Sequence, residues 1–348
     1  MPKPAKPPTL TDVARLAGVS VPAASRALNG GVRGKKSGSP ELRERVEEAA
    51  RTLGYAVSPA AQAIKGGRAR TVAFIVADID DFGSATMISG IMHAAEERGI
   101  SVAVRTTRDD PMRELDLLTQ LRGERHLAVV MATSRTTDAA REASVKEQLT
   151  VLQDHGAKIV VIGDNELGFP TVTVDNRHAA RLLAEGLVGA GRRRFALVSG
   201  PAGQITALER VGGFVEGLAH RGVAVDERDI VHTEFSRDGG HRAVDQLRDR
   251  LGEFDVIAAM SDAMAVGVIA RLREFGVSVP VDIEVTGFDH VPMLGDVLPG
   301  FSTVEVPLEQ FGEAALALVL DEHADGVDTV GLSGTPIIHG EAIAAFDR

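Results

Sequence analysis

The chain has 348 residues, 44% of them hydrophobic, no cysteine and a formal net charge of −11. That length suggests one small head and two ordinary domains or lobes. The lack of cysteine excludes disulfides, thiol catalysis and Cys-ligated metals, and no apolar run approaches the ~20 residues that span a bilayer. Charge is unevenly divided: residues 1–70 hold 13 Lys/Arg against 5 Asp/Glu, net +8, which leaves −19 on residues 71–348. A basic head on an acidic body confines any polyanion to the head.

Residues 1–8, Met-Pro-Lys-Pro-Ala-Lys-Pro-Pro, lack the apolar stretch of a signal peptide and read as a disordered basic arm, so the chain is expected in the cytoplasm. Residues 9–57 read as a helix-turn-helix head. Leu10, Val13, Ala14 and Ala17 fall at helical spacing and give a first helix one apolar face. Gly18 supplies the conformation of a sharp turn. Ser20 is placed to cap a second helix whose buried face is Val19, Ala24, Ala27 and Leu28, with Pro22 tolerated in its first turn. Small alanines let the helices approach closely, and Val21, Pro22, Ser25, Arg26 and Asn29 are left facing outward for the major groove or phosphates of a duplex. A third helix starts at Ser39-Pro40, carries a stripe of Leu42, Val46, Ala49 and Leu53, and ends at Gly54. A plain helical bundle is the bland alternative. Residues 58–70 are Gly- and Ala-rich with too little apolar surface to be stable alone, and suit a hinge helix that forms only against DNA or a partner, or else a plain flexible linker.

From residue 71 onward, β-rich apolar runs alternate with helical patterns. Strands are predicted at 71–77, 101–106, 128–132, 158–162, 195–199, 255–260 and 284–287. Helices are predicted at 84–98, 112–121, 176–190, 208–221, 240–251 and 262–275. Several strands are continuously apolar, which predicts two doubly wound parallel sheets in an α/β body of two lobes. Ligands of such sheets bind beyond the carboxyl ends of the strands. That rule selects Asp78 to Ser84, Thr133 to Arg135, Gly163 to Asn165, Gly200 to Gly203, Ser261-Asp262 and Phe288-Asp289-His290. Many are carboxylates or small polar groups, suited to a hydroxyl-rich ligand. No dinucleotide or P-loop glycine motif is present, the histidines lack metal spacing, and no nucleophile–base–orienter set stands out, so neither a cofactor, a metal nor an enzyme is expected.

Taken together, residues 9 to about 345 resemble the lactose-repressor (LacI/GalR-type) family of bacterial transcriptional regulators. The resemblance rests on the head motif, Asp175-Asn176, Arg210-Val-Gly-Gly-Phe214, Ser261-Asp262-Ala-Met-Ala-Val-Gly267, Val285-Thr-Gly-Phe-Asp289, and Ser302-Thr303-Val304 before Phe311-Gly312. It implies a DNA-binding head, a hinge helix and an effector-binding and dimerisation body over 71–348. The first lobe would comprise about 71–165 plus 296–325 and the second about 166–295 plus 326–348. It also implies a homodimer on a near-palindromic operator, most simply as a repressor of sugar uptake or catabolism whose affinity is set by a small ligand. On this resemblance Thr9, Leu10 and Thr11 approach phosphates, and Ser20, Ser25, Arg26 and Asn29 contact backbone or bases. Val21 and Pro22 set operator choice without reading a donor–acceptor pattern, and Ile64 wedges into the minor groove. In the body Arg210 and Asp289 hold ligand hydroxyls or carboxylates, with Asp81, Ser84 and Asp175 as further contacts. Asp262 either joins them or caps its helix, and Phe235 either stacks on the ligand or belongs to the core.

The chain also departs from the family. Asp81-Phe82-Gly83-Ser84 replaces the usual Asn-Pro-Phe-Phe, so two bulky walls are lost. The loop Gly30–Gly38 is longer than usual and basic. No heptad marks the tail, so a dimer without a tetramer-forming zipper is expected. An activator, a regulator of nucleobase, nucleoside or protein co-effectors, a solute-binding module and an enzyme remain as alternatives.

Overall fold

A computed structural model describes residues 8–29, 38–55, 70–321 and 328–342. The basic arm before residue 8, the basic loop over 30–37, the hinge segment with Ile64 and the last six residues lie outside them, as does the side chain of Asn29. The chain divides into two compact units, residues 1–70 and 71–348.

The first unit is three helices: α1 (Leu10–Ala17), α2 (Val21–Asn29) and α3 (Pro40–Leu53). Thr9 caps α1 in a reciprocal box with Asp12: the Thr9 amide donates to Asp12 Oδ2 at 3.0 Å and the Asp12 amide to Thr9 Oγ1 at 3.4 Å. Gly18 then ends α1 with φ 66° and ψ 37°, a left-handed residue that lets the chain reverse into α2. Ser20 Oγ accepts from the Ala23 amide and Ser39 Oγ from the Leu42 amide, so α2 and α3 both begin on a serine. Val13, Ala14, Ala17, Ala24, Ala27, Val46, Ala49 and Ala50 are buried together, with Leu10, Val19, Leu28, Leu42, Leu53 and Tyr55 packed around them.

The second unit is an α/β body. Its larger sheet has six parallel strands, β1 (Thr71–Val76), β2 (Ser101–Thr106), β3 (Ala128–Ala132), β4 (Lys158–Ile162), β5 (Thr171–Val174) and β11 (Thr329–Leu332), in the order β11-β5-β4-β3-β1-β2. The smaller parallel sheet runs β7 (Ile230–His232), β6 (Phe195–Ser199), β8 (Val256–Ala259), β9 (Glu284–Thr286). Both faces are covered. In β1, Val72, Phe74 and Val76 enter one core while Ala73 and Ile75 enter another. The helices are α4 (Phe82–Glu96), α5 (Pro111–Leu121), α6 (Ala139–Asp154) and α12 (Leu308–Leu320) on the first lobe. On the second are α7 (Asn176–Gly189), α8 (Ile205–His220), α9 (Arg237–Leu247) and α10 (Asp262–Glu274), with a short α11 (Pro292–Val297) after β9. Three pairs pack backbone to backbone through glycine: a Cβ on Gly90 of α4 would overlap the Glu309 carbonyl of α12. Gly213 of α8 similarly meets Arg177 of α7, and Gly267 of α10 meets Arg237 of α9.

Two features were not anticipated. A third, antiparallel sheet joins β10 (Thr303–Glu305), β12 (Thr335–Ile338) and β13 (Glu341–Ala342). The lobe boundaries also move. β5 and β11, placed by the sequence in the second lobe, belong to the first lobe's sheet, pairing Thr171 with Thr329 and Val174 with Leu332. Conversely β10, placed in the first lobe, continues the second through bridges Thr286–Ser302 and Asp289–Glu305. The chain therefore crosses between lobes near 175–176, 306–307 and 333–334. The cause is local: Thr-Val-Thr-Val and Thr-Val-Gly-Leu are short, partly polar strands, β11 at the sheet edge and β5 beside it, without the continuous apolar run of a central strand.

A fourth contact joins the lobes directly. After β3, the Thr137 amide donates to the Gly203 carbonyl at 2.9 Å, and the Ile205 amide to the Arg135 carbonyl at 2.9 Å, around the bridge Thr136–Gln204. Behind it lies a buried ionic knot. Arg135 and Glu114 are each about 1% exposed and paired. Thr133 Oγ1 donates to Glu114 at 2.6 Å, and Arg141 holds the other oxygen of Glu114 at 3.1 Å.

Candidate functional site

At the carboxyl ends of both parallel sheets a cavity of about 190 Å³ opens between the lobes of the body. From the first lobe it is lined by Asp78, Asp81, Ser84 and Met87 around the start of α4, Asp109 after β2, Ser134 after β3 and Leu308 at the start of α12. From the second come Gln204, Thr206 and Arg210 of α8 and its approach, Phe235 after β7, Ser261 after β8 and Asp289 after β9.

Arg210 anchors the second-lobe wall. Its Nε donates to Asn176 Oδ1 at 2.9 Å, Nη1 to the Met260 carbonyl at 2.7 Å, and Nη2 meets Asp289 Oδ1 at 3.2 Å. The guanidinium lies 3.9 Å from the Phe288 ring centroid, a cation–π contact in a buried setting. Asp289 and His290 hold φ of 121° and 60°, so the loop after β9 turns through two left-handed residues to aim the carboxylate at Arg210. Burial pushes the Asp289 carboxyl up to about 7, opposed by Arg210 and reinforced by the charges of Asp262 and Asp81. Across the cleft Asp81 caps α4, its Oδ2 accepting from the Ser84 amide at 2.8 Å. Phe235 fits because residue 200 is glycine: any Cβ there would lie inside the ring.

A carboxyl pair joins the lobes beside this wall. Glu209 of α8 is pushed up to about 7 by burial and by Asp164, which follows β4, while a bond from Asn176 works against the shift. Asp289 and Glu209 have ordinary values of 3.8 and 4.5, so between about pH 4 and 7 the folded chain holds more protons than the unfolded one. Stability is expected to fall as pH rises through that window. The urea midpoint should drop between about pH 5 and 7.5, and Asp289→Asn should shallow that slope; an unchanged slope would remove Asp289 from the linkage.

On the head, Thr11, Ser20, Val21, Pro22 and Arg26 are exposed on α1, at the turn and on α2. Leu10 instead packs against the head core. Thr9 is engaged in its cap.

Comparisons with known proteins bear on both units. Residues 9–58 match the model of bacterial regulatory proteins of the lacI family, and residues 184–331 match a periplasmic binding protein-like domain. The HTH-type transcriptional regulator CelR of Thermobifida fusca is 31% identical over 324 residues, covering 90% of this chain and 91% of that protein. The chain belongs to the LacI family of bacterial regulatory proteins. The transcriptional repressor CytR of Escherichia coli K12 is 29% identical over 316 residues, covering 90% of this chain and 89% of CytR. A solved complex of CelR with cellobiose shares 28% identity at a TM-score of 0.68, covering 96% of this chain and 99% of that one. The lac repressor dimer bound to operator and an anti-inducer superposes at 0.79 with 22% identity, covering 97% and 100%, and so shares the fold. These relatives are transcriptional regulators rather than enzymes. Among the described residues of this LacI-family chain no helix is long and apolar enough to cross a membrane, and no group of three His, Asp or Glu is arranged to hold a metal ion.

Of the ligand residues expected in this LacI-family regulator, Asp81, Ser84, Arg210, Phe235 and Asp289 line one cavity. Asp175 and Asp262 do not. Asp175 is exposed and caps α7, accepting from the His178 amide at 2.8 Å. Asp262 neither lines the cavity nor caps its helix. Ser261 caps α10, and the buried Asp262 carboxylate accepts from the Val291 amide at 2.6 Å and Thr303 Oγ1 at 2.9 Å, tying β10 to the loop after β9. Asp109, Gln204, Thr206, Met87 and Leu308 were missed. Asp109 follows β2, so the rule that singles out strand ends would have found it had it been applied there.

Proposed function

We propose that this LacI-family regulator is a repressor that binds a near-palindromic operator as a homodimer and changes operator affinity when a small, sugar-like effector enters the cleft. The observation that carries the reading is a cavity to which both lobes contribute, with the Arg210–Asp289 pair on one wall and carboxylates on the other. An effector touching both lobes stabilises one lobe arrangement over another, and only that differential affinity shifts the balance. Carboxylates that accept hydroxyl hydrogens beside an aromatic face suit a carbohydrate, and the CelR–cellobiose complex is a precedent among relatives. Ile79, Phe82 and Met92, at and along α4, are large apolar side chains left exposed, as a partner surface requires.

Selection of genomic fragments by the full-length protein at about physiological salt tests the reading, because non-specific phosphate binding is then screened. A recovered near-palindrome with a dyad footprint is expected, and a footprint without a dyad would sink the dimeric model. Arg26 is an exposed side chain of α2 that can pair two acceptors on one base edge. Arg26→Ala is expected to weaken specific binding by ~1–3 kcal/mol and relax preference at one position per half-site. Equal loss on random DNA would show a phosphate contact instead.

A further inference from the structure

The charge of the cleft says more about the effector than its shape does. Four carboxylates, Asp78, Asp81, Asp109 and Asp289, line a cavity in which Arg210 is the one cation among the described lining residues. Arg210 is already bonded to Asn176, Met260 and Asp289, so its charge is largely balanced inside the wall. Arg141, whose charge also reaches Asp109, holds Glu114 at 3.1 Å. On the first-lobe wall Asp78 Oδ1 accepts from the Ile79 and Asp80 amides, and Asp81 Oδ2 from Ser84. Among the described residues each keeps its second oxygen without a hydrogen bond. Asp109 reaches solvent but sits near Asp81, Glu114 and Asp78; burial and those charges push its carboxyl up, against the pull of Arg141. The empty site thus holds like charges brought together with too little counter-charge, which disfavours an anion and rewards a cation. The size is also informative. At about 190 Å³ the cavity is below the ~300–1,000 Å³ of pockets for drug-sized ligands, and suits one ring with its substituents. Phe235 adds an aromatic face, the surface on which an ammonium group is stabilised beside carboxylates.

We infer that the effector is a small hydroxylated molecule carrying a protonated amine, an amino sugar or a compound of like chemistry, its ammonium group held by Asp78, Asp81 and Asp109 and its hydroxyls by Arg210 and Asp289. This deepens the effector reading above and rests on it.

The class can be tested before the compound is known. A deproteinised small-molecule extract of the source cells, in excess EDTA to silence metal ions, is separated at neutral pH into cation-exchanger-bound, anion-exchanger-bound and neutral fractions. Each is added to the full-length protein, with thermal midpoint and affinity for the selected operator fragment as readouts. Glucosamine, N-acetylglucosamine and glucose serve as a matched set differing in charge at one carbon. The cation-bound fraction is expected to move both readouts, and glucosamine to act more strongly than its two neutral counterparts. Asp81→Asn, which keeps the cap of α4, and Asp109→Asn should each weaken that response roughly 10- to 100-fold, the scale of one charge-assisted hydrogen bond. Activity confined to the neutral or anionic fraction, or an undiminished response in both variants, would overturn the inference while leaving the effector reading intact. Silence of every fraction on a protein that still binds its operator would overturn the effector reading itself.

Discussion

Replacing Arg210 with alanine is expected to lower the stability of the body by ~3–5 kcal/mol and to abolish the effector response. The side chain is buried and holds three different segments: Asn176 at the start of α7, the Met260 carbonyl at the end of β8, and Asp289 after β9. Truncation strands the Asp289 carboxylate without its counter-ion and leaves the Asn176 and Met260 oxygens without that donor. Proton uptake by Asp289, already favoured by burial, limits the loss at low pH, so the effect is expected to grow from about pH 5 to 7.5. Arg210→Lys should recover only part of it, since an ammonium cannot present the planar fork that reaches all three acceptors. Urea unfolding measures the loss. Operator binding below the new transition should persist, because the head folds around its own core. An unchanged urea midpoint would show that the wall does not depend on Arg210.

The second large effect is expected at Glu114, which does not itself line the cavity. Glu114→Ala leaves Arg135, about 1% exposed, with Thr133 and a Glu142 oxygen 3.5 Å away as its remaining partners. Breaking one side of a buried ion pair typically costs ~3–5 kcal/mol, whereas replacing both sides with apolar groups can be nearly neutral. A double change, Glu114→Leu with Arg135→Met, should therefore be more stable than Glu114→Ala. Burial disfavours the Glu114 carboxylate, but Arg135, Thr133 and Arg141 outweigh it and hold its carboxyl below the ordinary 4.5. Its contribution is thus complete above that value and lost as the solution becomes more acid. Urea midpoints of the two variants against the parent test the claim; a double variant no better than the single one would refute it.

How much of this was legible follows from the kind of signal each element carries. The head was readable to its caps, because Ser20, Ser39, Gly18 and Gly54 act locally and their neighbours confirm them. Central strands such as Phe195–Ser199 were readable as unbroken apolar runs, whereas the short, partly polar strands β5 and β11 were not, and the lobe boundaries slid with them. α6 was not picked out, since Val145, Leu149 and Leu152 are its few buried apolar side chains. In the cleft, the rule that ligands sit beyond strand ends found the right loops but could not tell a lining carboxylate from one consumed in packing. Asp262 and Asp289 follow neighbouring strands with the same chemistry. Only the positions of Val291 and Thr303, distant in sequence, decide that the first ties loops while the second faces the cavity.

The glycine-mediated helix pairs have a mechanical consequence. Where α4 meets α12, α7 meets α8 and α9 meets α10, backbone lies on backbone, and such contacts neither slide nor compress. Each lobe is therefore a stiff block, and any change in the cleft must be taken up where the chain passes from one block to the other. One of those passages is Asp175-Asn176, and Asn176 is the residue that Arg210 grips. A molecule that draws on Arg210 therefore pulls on the axle itself, not on a wall that could yield.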